Sequence, residues 1–388
     1  MGRTLNILPA TTLDYRRLAE KRLPRFLFDY IDGGANDEIT LAANVGDFQK
    51  IRIRQRVLKD VSNIDTATLL AGEPAAMPVI LAPVGMAGLY ARRGEVQTVR
   101  AANAKNVPFT LSTVGICTLD EVAAAASQPF WFQLYMIRDR GTVRNLLERA
   151  EGVGCTTLVF TVDLPLAGMR HRDTRNGMLD NSLRGKLGKV WQIGTRPGWI
   201  YDVGVRGKPH SFGNLAHLVP DPTDLKAYRS WIDAQFDTSV TWKDIEWLRG
   251  IWKGRLILKG IQEPDDALAA TGVGADGVVV SNHGARQLDS VNSSISKLPG
   301  VVAATGARLE VYVDGGMRSG LDVFKAVALG ARGVMIGRPW AWALAAGGEA
   351  AIAGLLATFK KELEVAMALS GCVRIADIDR SRLDRWPS

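Results

Sequence analysis

Among four histidines, His171, His210, His217 and His283, one stands where chemistry is usually placed. His283 closes an apolar run, in Val278-Val-Val-Ser-Asn-His-Gly-Ala-Arg-Gln-Leu-Asp289. An imidazole at such a strand end can take a proton near neutral pH. Arg286 follows three residues later in a glycine-containing loop, which suggests an anion held beside a base. A packing or turn histidine is the plainer alternative, and it gives the arginine no task. A second cluster reads Asp314-Gly-Gly-Met-Arg318-Ser-Gly320, with Gly337-Arg338 further on. Glycine N–H groups, a helix start near Ser319 and planar guanidinium groups suit a phosphate. Ordinary glycine-rich turns with a solvated arginine are the alternative there. No two histidines have a metal-ligand spacing, so no metal is expected. A literal GxGxxG at Gly272, Gly274 and Gly277 has a helix before it and a strand after it. That context is the inverse of a dinucleotide site, and the motif reads as a connecting loop.

Eight short apolar runs must position these groups: Met77–Gly85, Val107–Thr113, Trp131–Tyr135, Thr156–Asp163, Arg255–Gly260, Gly277–Asn282, Glu310–Gly316 and Gly333–Arg338. Continuous apolar runs of this length are expected of strands buried on both faces. Amphipathic stretches such as Thr118–Ala126, Thr142–Ala150, Pro264–Ala270 and Leu321–Leu329 alternate with them. The alternation predicts an α/β fold, a (β/α)8 TIM barrel, with an open doubly wound sheet as the other architecture of the same pattern. The strand ends decide between them. They read Pro83-Val84-Gly85, Ser112-Thr113, Gln133 to Tyr135, Thr161 to Asp163, Lys259, Ser281 to His283, Asp314-Gly315-Gly316 and Gly337-Arg338. All eight supply polar groups or glycine, as the mouth of a catalytic barrel does. We expect one domain over 1–388, with an N-terminal helical segment 1–70, a barrel 77–345 and C-terminal helices 346–388. A gap of 99 residues separates Thr156 from Arg255, so the fourth strand–helix loop carries an insertion at about 177–235.

The formal charge is +8 and the isoelectric point about 9.4, which invites an acidic partner. The charge is spread along the chain and no nucleic-acid module is present, so no nucleic acid is expected. Cys117, Cys155 and Cys372 have no paired spacing, which fits free thiols in a reducing compartment. The N-terminus lacks an apolar signal region, and runs such as Met77 to Ala91 are interrupted by proline or charge and too short to span a bilayer. A cytoplasmic protein, soluble or peripheral, is expected.

The segment Ser281-Asn-His-Gly-Ala-Arg-Gln-Leu-Asp289 resembles the signature of the FMN-dependent 2-hydroxy acid dehydrogenase and oxidase family. The likeness runs from Asp14-Tyr-Arg-Arg to Ala368-Leu-Ser-Gly-Cys372. It includes Phe28-Asp-Tyr30 with Gly33-Gly34, Trp131-Phe-Gln-Leu-Tyr135, Thr161-Val-Asp163, Leu258-Lys259-Gly260, Asp314-Gly-Gly and Ile336-Gly-Arg338. Within the family it is strongest to the bacterial respiratory L-lactate dehydrogenases, through Ala82-Pro-Val-Gly-Met, Tyr90-Ala-Arg-Arg-Gly-Glu95 and Val240-Thr-Trp-Lys-Asp244.

The resemblance implies FMN across the barrel mouth, its phosphate on Gly316, Arg318, Gly337 and Arg338. Pro83, Val84 and Gly85 would lie along the ring, and Ser112, Gln133, Thr161, Ser281 and Asp314 would complete the cofactor set. Lys259 would face the edge where negative charge gathers on reduction. Tyr30, Arg170 and Arg286 would bind a substrate carboxylate, with Tyr135 on its hydroxyl. His283 would act as base and Asp163 would orient it. The expected reaction is oxidation of an L-2-hydroxy acid, L-lactate favoured, to the 2-oxo acid, by a homo-oligomer, commonly a tetramer in the family. The family usually has a second glycine where this chain has Ala285, which strains the loop if φ is positive there.

Electrons leave to a quinone or to oxygen, and two features favour the quinone. Gly85 stands where family oxidases often carry alanine. Residues 180–210 interleave Trp191, Trp199, Ile200 and Tyr201 with Arg184, Lys186, Lys189, Arg196, Arg206 and Lys208, a composition suited to a membrane surface. A lid packed by its own tryptophans is the alternative for that segment, and a soluble, peroxide-releasing oxidase is the alternative enzyme. A colourless barrel isomerase or lyase acting on a phosphorylated metabolite is the alternative outside the family.

Overall fold

The computed structural model describes residues 8–178, 180, 182–218 and 234–385. Eight parallel strands form one sheet: β1 (Val79–Leu81), β2 (Thr110–Ser112), β3 (Trp131–Leu134), β4 (Thr157–Thr161), β5 (Arg255–Ile261), β6 (Gly277–Val280), β7 (Glu310–Asp314) and β8 (Gly333–Ile336). Each pairs with its neighbours in sequence, and β8 returns to β1 through Val334–Val79 and Ile336–Leu81. The ring closes where the Leu81 N–H donates to the Pro108 carbonyl at 2.9 Å and Leu81 bridges Phe109. The fold is a TIM barrel, as the strand and helix alternation predicts.

Alternation across each strand sends Ile80, Trp131, Val159, Ile257, Val279, Tyr312 and Met335 into one buried interior cluster. A hairpin, Thr68–Leu70 paired with Glu73–Ala75, adds Leu70, Ala71 and Ala75 to that cluster. The Tyr312 hydroxyl accepts from the Ala71 N–H at 2.8 Å, and Trp131 Nε1 donates to Glu73 at 3.1 Å. The hairpin therefore plugs the N-terminal end of the barrel, and a ligand is left with the C-terminal end.

The N-terminal segment forms helices Thr12–Arg22, Arg25–Asp32 and Ile39–Lys50, the first started by a Thr11/Asp14 capping box. It is not helical throughout to residue 70, since Arg52–Ile53 pairs antiparallel with Leu383–Arg385. The final helix, Arg338–Ser370, breaks at Gly347 and Gly348. It is long and apolar enough to cross a membrane, yet Trp340, Trp342, Leu344, Leu356, Phe359 and Leu363 are buried in the core. It is a core helix. The GxGxxG segment joins helix Pro264–Gly272 to β6, with Gly274 at φ 76°, so it is the connecting loop that its context predicts.

The β4–β5 connection contains helices His171–Arg175 and Leu183–Gly194, a turn Pro197–Trp199 and a wider-wound turn Ile200–Val205. The expected insertion at 177–235 falls partly on residues outside those described, as does the His217 side chain. Its inner half is anchored. Trp199 Nε1 donates to the Leu89 carbonyl at 2.8 Å, Arg196 Nε to the Leu23 carbonyl at 2.9 Å, and Arg22 pairs with Asp202 at 2.8 Å.

Candidate active site

His283 sits in a turn with three consecutive residues in the left-handed region: His283, Gly284 and Ala285 at φ 57°, 62° and 61°. Side chains hold that turn. Asn282 Oδ1 accepts from the Ala285 N–H at 2.9 Å, and the Asn282 amide pairs reciprocally with Asn44 at 2.9 Å in both directions. Ser281 Oγ accepts from the His283 N–H at 2.9 Å and from the Lys259 ammonium at 2.9 Å. The buried turn is thus fully braced, which lets it tolerate two non-glycine residues where each costs roughly 1–2 kcal/mol. Ala285 has the positive φ that only glycine adopts freely. Ala285→Gly is accordingly expected to stabilise the protein by about 1 kcal/mol, read as a higher urea midpoint at unchanged slope.

His283 Nδ1 lies 2.8 Å from Asp163 Oδ1, which leaves Nε2 as the nitrogen available to a ligand. Gly260 makes room for this pair, because a Cβ there would meet Asp163 Cγ at 2.5 Å. Burial alone raises the Asp163 carboxyl, but His283 and Lys259 outweigh it and hold the group below its ordinary value. Lys259 lies 2.6 Å from Asp314 Oδ2, both side chains nearly inaccessible. Burial disfavours the ammonium, and the Asp314 and Asp163 charges more than restore it.

Tyr30, from helix Arg25–Asp32, lies between Arg286 and Arg170, with guanidinium carbons 4.8 and 5.7 Å from its ring centre. The carbonyl end of that helix orients the arginines. Arg286 donates to the Tyr30 and Gly33 carbonyls, and Arg338 donates to those of Asp32, Gly33 and Gly284. Asp32 fixes the helix end by pairing with Arg16 at 2.6 Å and Arg172 at 2.8 Å. Burial alone raises this carboxyl, yet the arginines hold it below its ordinary value. Asp32 and Asp163 therefore contribute stability that is complete above the ordinary carboxylate pKa of about 4 and lost as pH falls through their lower folded values.

At the far corner Arg318 and Arg338 are half-buried, with no carboxylate in direct ion-pair contact among the described residues. Burial lowers Arg318 to about 10. Burial, together with the Arg286 and Arg318 charges, pushes Arg338 well below its ordinary value. Two half-buried cations that line one cavity and have no carboxylate in direct contact make a site for a dianion. Gly337 lines the same corner, where a built Cβ would come within 3.7 Å of the Val84 side chain. Asp314 Oδ1 is buried and unpartnered, an acceptor suited to a ribityl hydroxyl. The FMN that the resemblance implies fits these residues.

These groups line one cavity of about 240 Å³. Of the expected residues, Tyr30, Pro83, Val84, Gly85, Tyr135, Thr161, Arg170, Lys259, His283, Arg286, Asp314, Gly316, Arg318, Gly337 and Arg338 line it. Ser112, Gln133, Ser281 and Asp163 do not, and each is hydrogen-bonded to another residue of the site. Gln133 accepts from Ser112 at 3.0 Å and donates to Thr161 at 3.1 Å. Sequence reasoning missed Asn44, Asp32 and Arg172, and also Met178, Phe212 and Phe236, which line the cavity from the β4–β5 connection. Asn282, the partner of Asn44, is marked by the polar end of the run Gly277–Asn282. Nothing local marked Asn44.

A cleft at the barrel mouth, a dianion corner and a histidine–carboxylate pair beside two arginines suit a barrel oxidoreductase that works with a bound flavin. Residues 19–385 match the family of FMN-dependent dehydrogenases. The chain belongs to this family, and its cofactor is FMN. It is 54% identical over 374 residues to an L-lactate dehydrogenase of Caulobacter sp. (strain K31), covering 96% of this chain and 98% of the relative. An L-lactate dehydrogenase of Stenotrophomonas maltophilia (strain K279a) is 52% identical over 381 residues, covering 98% of this chain and all of the relative. Among solved structures, the monotopic membrane protein (S)-mandelate dehydrogenase superposes with a TM-score of 0.91 at 33% identity, covering 97% and 99% of the two chains. A mandelate oxidase gives a TM-score of 0.82 at 36% identity, covering 97% and 98%.

Proposed function

We propose that this enzyme oxidises L-lactate to the 2-oxo acid and passes the electrons to a quinone at a membrane surface. The observation that carries the first half is the convergence of His283–Asp163, Arg170 and Arg286 in the cavity that also holds the dianion corner. Arg170 and Arg286 bind the carboxylate, since planar guanidinium groups pair with it in two-pronged fashion. The Tyr135 phenol is held protonated by burial, its pKa raised further by Asp163, so it donates to the substrate hydroxyl. His283 Nε2 accepts a substrate proton, and the Asp163 charge at Nδ1 stabilises the imidazolium. FMN, when bound, supplies the two-electron acceptor. Lys259 offers a buried cation at the ring edge where charge accumulates. The L-lactate dehydrogenase names of the relatives support lactate as substrate and L as its configuration.

The test is the visible spectrum of the holoenzyme without oxygen. L-lactate is expected to bleach the flavin band. A band that bleaches with another 2-hydroxy acid, and not with lactate, overturns the choice of substrate. Reoxidation by a short-chain quinone faster than by air is expected, and the reverse order overturns the quinone.

The outer helix supports the membrane half. Leu183, Leu187, Val190 and Trp191 share one face of helix Leu183–Gly194 and are 60–76% exposed. Arg184, Lys186 and Lys189 flank them, and Tyr201 is also exposed. Basic residues beside an outward apolar face suit an anionic bilayer. The solved (S)-mandelate dehydrogenase, which covers 97% of this chain, is described as a monotopic membrane protein. Trp199 faces inward instead, so removing 180–210 would strip core contacts as well. Replacing Leu187, Val190 and Trp191 with serine is the cleaner variant. It is expected to lose sedimentation with anionic vesicles and keep lactate reduction of the flavin. Sedimentation equal to that of the unaltered enzyme overturns the membrane assignment.

A further inference from the structure

We propose that Phe236 is a specificity-determining residue, closing the substrate chamber against large groups on C2 of the hydroxy acid. The inference rests on the 2-hydroxy acid reading above. The cavity has a polar pole, His283, Tyr135, Arg170 and Arg286, and an apolar wall that includes Leu164, Ala167, Met178, Phe212 and Phe236. All five apolar residues belong to the β4–β5 connection, so this part of the lining comes from the long loop.

Tetrahedral C2 has four directions to fill. On the reading above, the carboxylate would take the arginines, the hydroxyl would take Tyr135 and His283, and the hydrogen would keep a direction that needs no pocket of its own. The side chain is left with the apolar wall. Phe236 stands on that wall directly beside the hydroxyl-binding residue, its ring centre 5.0 Å from that of Tyr135 and tilted by 32°. No substituent enters between two rings at that separation. A larger group on C2 must push Phe236 aside.

Phe236 is held against such a push. Its backbone bridges Ile137 antiparallel, two residues after Tyr135. On either side, the Arg138 N–H donates to the Gln235 carbonyl at 2.8 Å and the Asp237 N–H to the Met136 carbonyl at 3.0 Å. Arg140 then pairs with Asp237 and Asp244, both at 2.7 Å. The segment carrying Phe236 is thus zipped to the segment carrying Tyr135, and the ring is only 8% exposed. A rigid wall discriminates by size, whereas a mobile one would accommodate both small and large substrates.

The test compares L-lactate with L-2-hydroxy-3-phenylpropanoate for the unaltered holoenzyme, Phe236→Ala and Phe236→Leu. Opening the wall is expected to shift the ratio of kcat/KM towards the larger acid by about 10–100-fold in the alanine variant, and by less in the leucine variant. A second readout needs no turnover. Pyruvate and phenylpyruvate are titrated into the oxidised holoenzyme and followed by the flavin spectrum, with the affinity ratio expected to move the same way. A purely structural role would lower both acids equally and leave the ratios fixed. Unchanged ratios in variants with full flavin content overturn the proposal. Should the alanine variant not fold, the leucine variant decides by the same two ratios. Should lactate fail to reduce the unaltered enzyme, the substrate reading falls, and the 2-oxo acid ratio still decides the role of Phe236.

Discussion

Replacing His283 with asparagine will leave a folded, yellow protein that 2-hydroxy acids reduce about 10²–10⁴-fold more slowly. Asparagine is chosen because residue 283 lies at φ 57°, a region asparagine enters more readily than most other residues. The turn that also carries Arg286 is thereby preserved. The bonds that hold the turn from outside the imidazole also survive: Ser281 still accepts the backbone N–H of residue 283, and Asn282 still accepts that of Ala285. What disappears is the nitrogen left available when Asp163 takes Nδ1 at 2.8 Å. The carboxylate clamp is untouched, so pyruvate should still perturb the flavin spectrum at a similar concentration. Reduction by lactate at the unaltered rate, with full flavin content, would remove His283 from the chemistry.

Much of this arrangement is legible in the chain, and the reason is local. A strand buried on both faces needs an unbroken apolar run, so each of the eight runs marks a strand, and the polar residue that ends it marks the barrel mouth. The apolar runs overshoot, however. Met77–Gly85 yields the strand Val79–Leu81 only, because Pro83 to Gly85 turn outward to line the cavity. Groups that act across the fold left no such mark. Asn44 reaches Asn282 over 238 residues of chain, and the carbonyls of Tyr30 and Gly33 serve Arg286 from more than 250 residues away. A backbone carbonyl has no residue type to read. Phe236 is an unremarkable aromatic until the return of the long loop places it on Tyr135. Ala285 is the opposite case, where one substituted position announced a backbone conformation that the structure then displayed.

Lys259→Met is expected to be among the most destabilising single changes in this barrel, costing about 3–5 kcal/mol. The ammonium is buried beside Asp314 at 2.6 Å and near Asp163. Methionine fills a similar volume and leaves those carboxylates in a low-dielectric interior without their cation. Each of these carboxylates already has one unpartnered oxygen. Asp163 keeps His283, whereas Asp314 loses its ion pair outright. Asp163, held below its ordinary value by His283 and Lys259, loses the second of those supports. A group lowered on folding contributes stability that is complete above its unfolded pKa of about 4 and lost as pH falls through the folded one. The variant lacks part of that contribution, so its deficit should be largest near neutral pH and shrink as pH falls below about 4, which urea unfolding near pH 7 and near pH 3 measures directly. FMN should also bind less tightly and become harder to reduce, since the cation offered to the charge-accumulating edge is gone. A deficit that is the same at both pH values would mean that Asp163 does not depend on Lys259 for its charge.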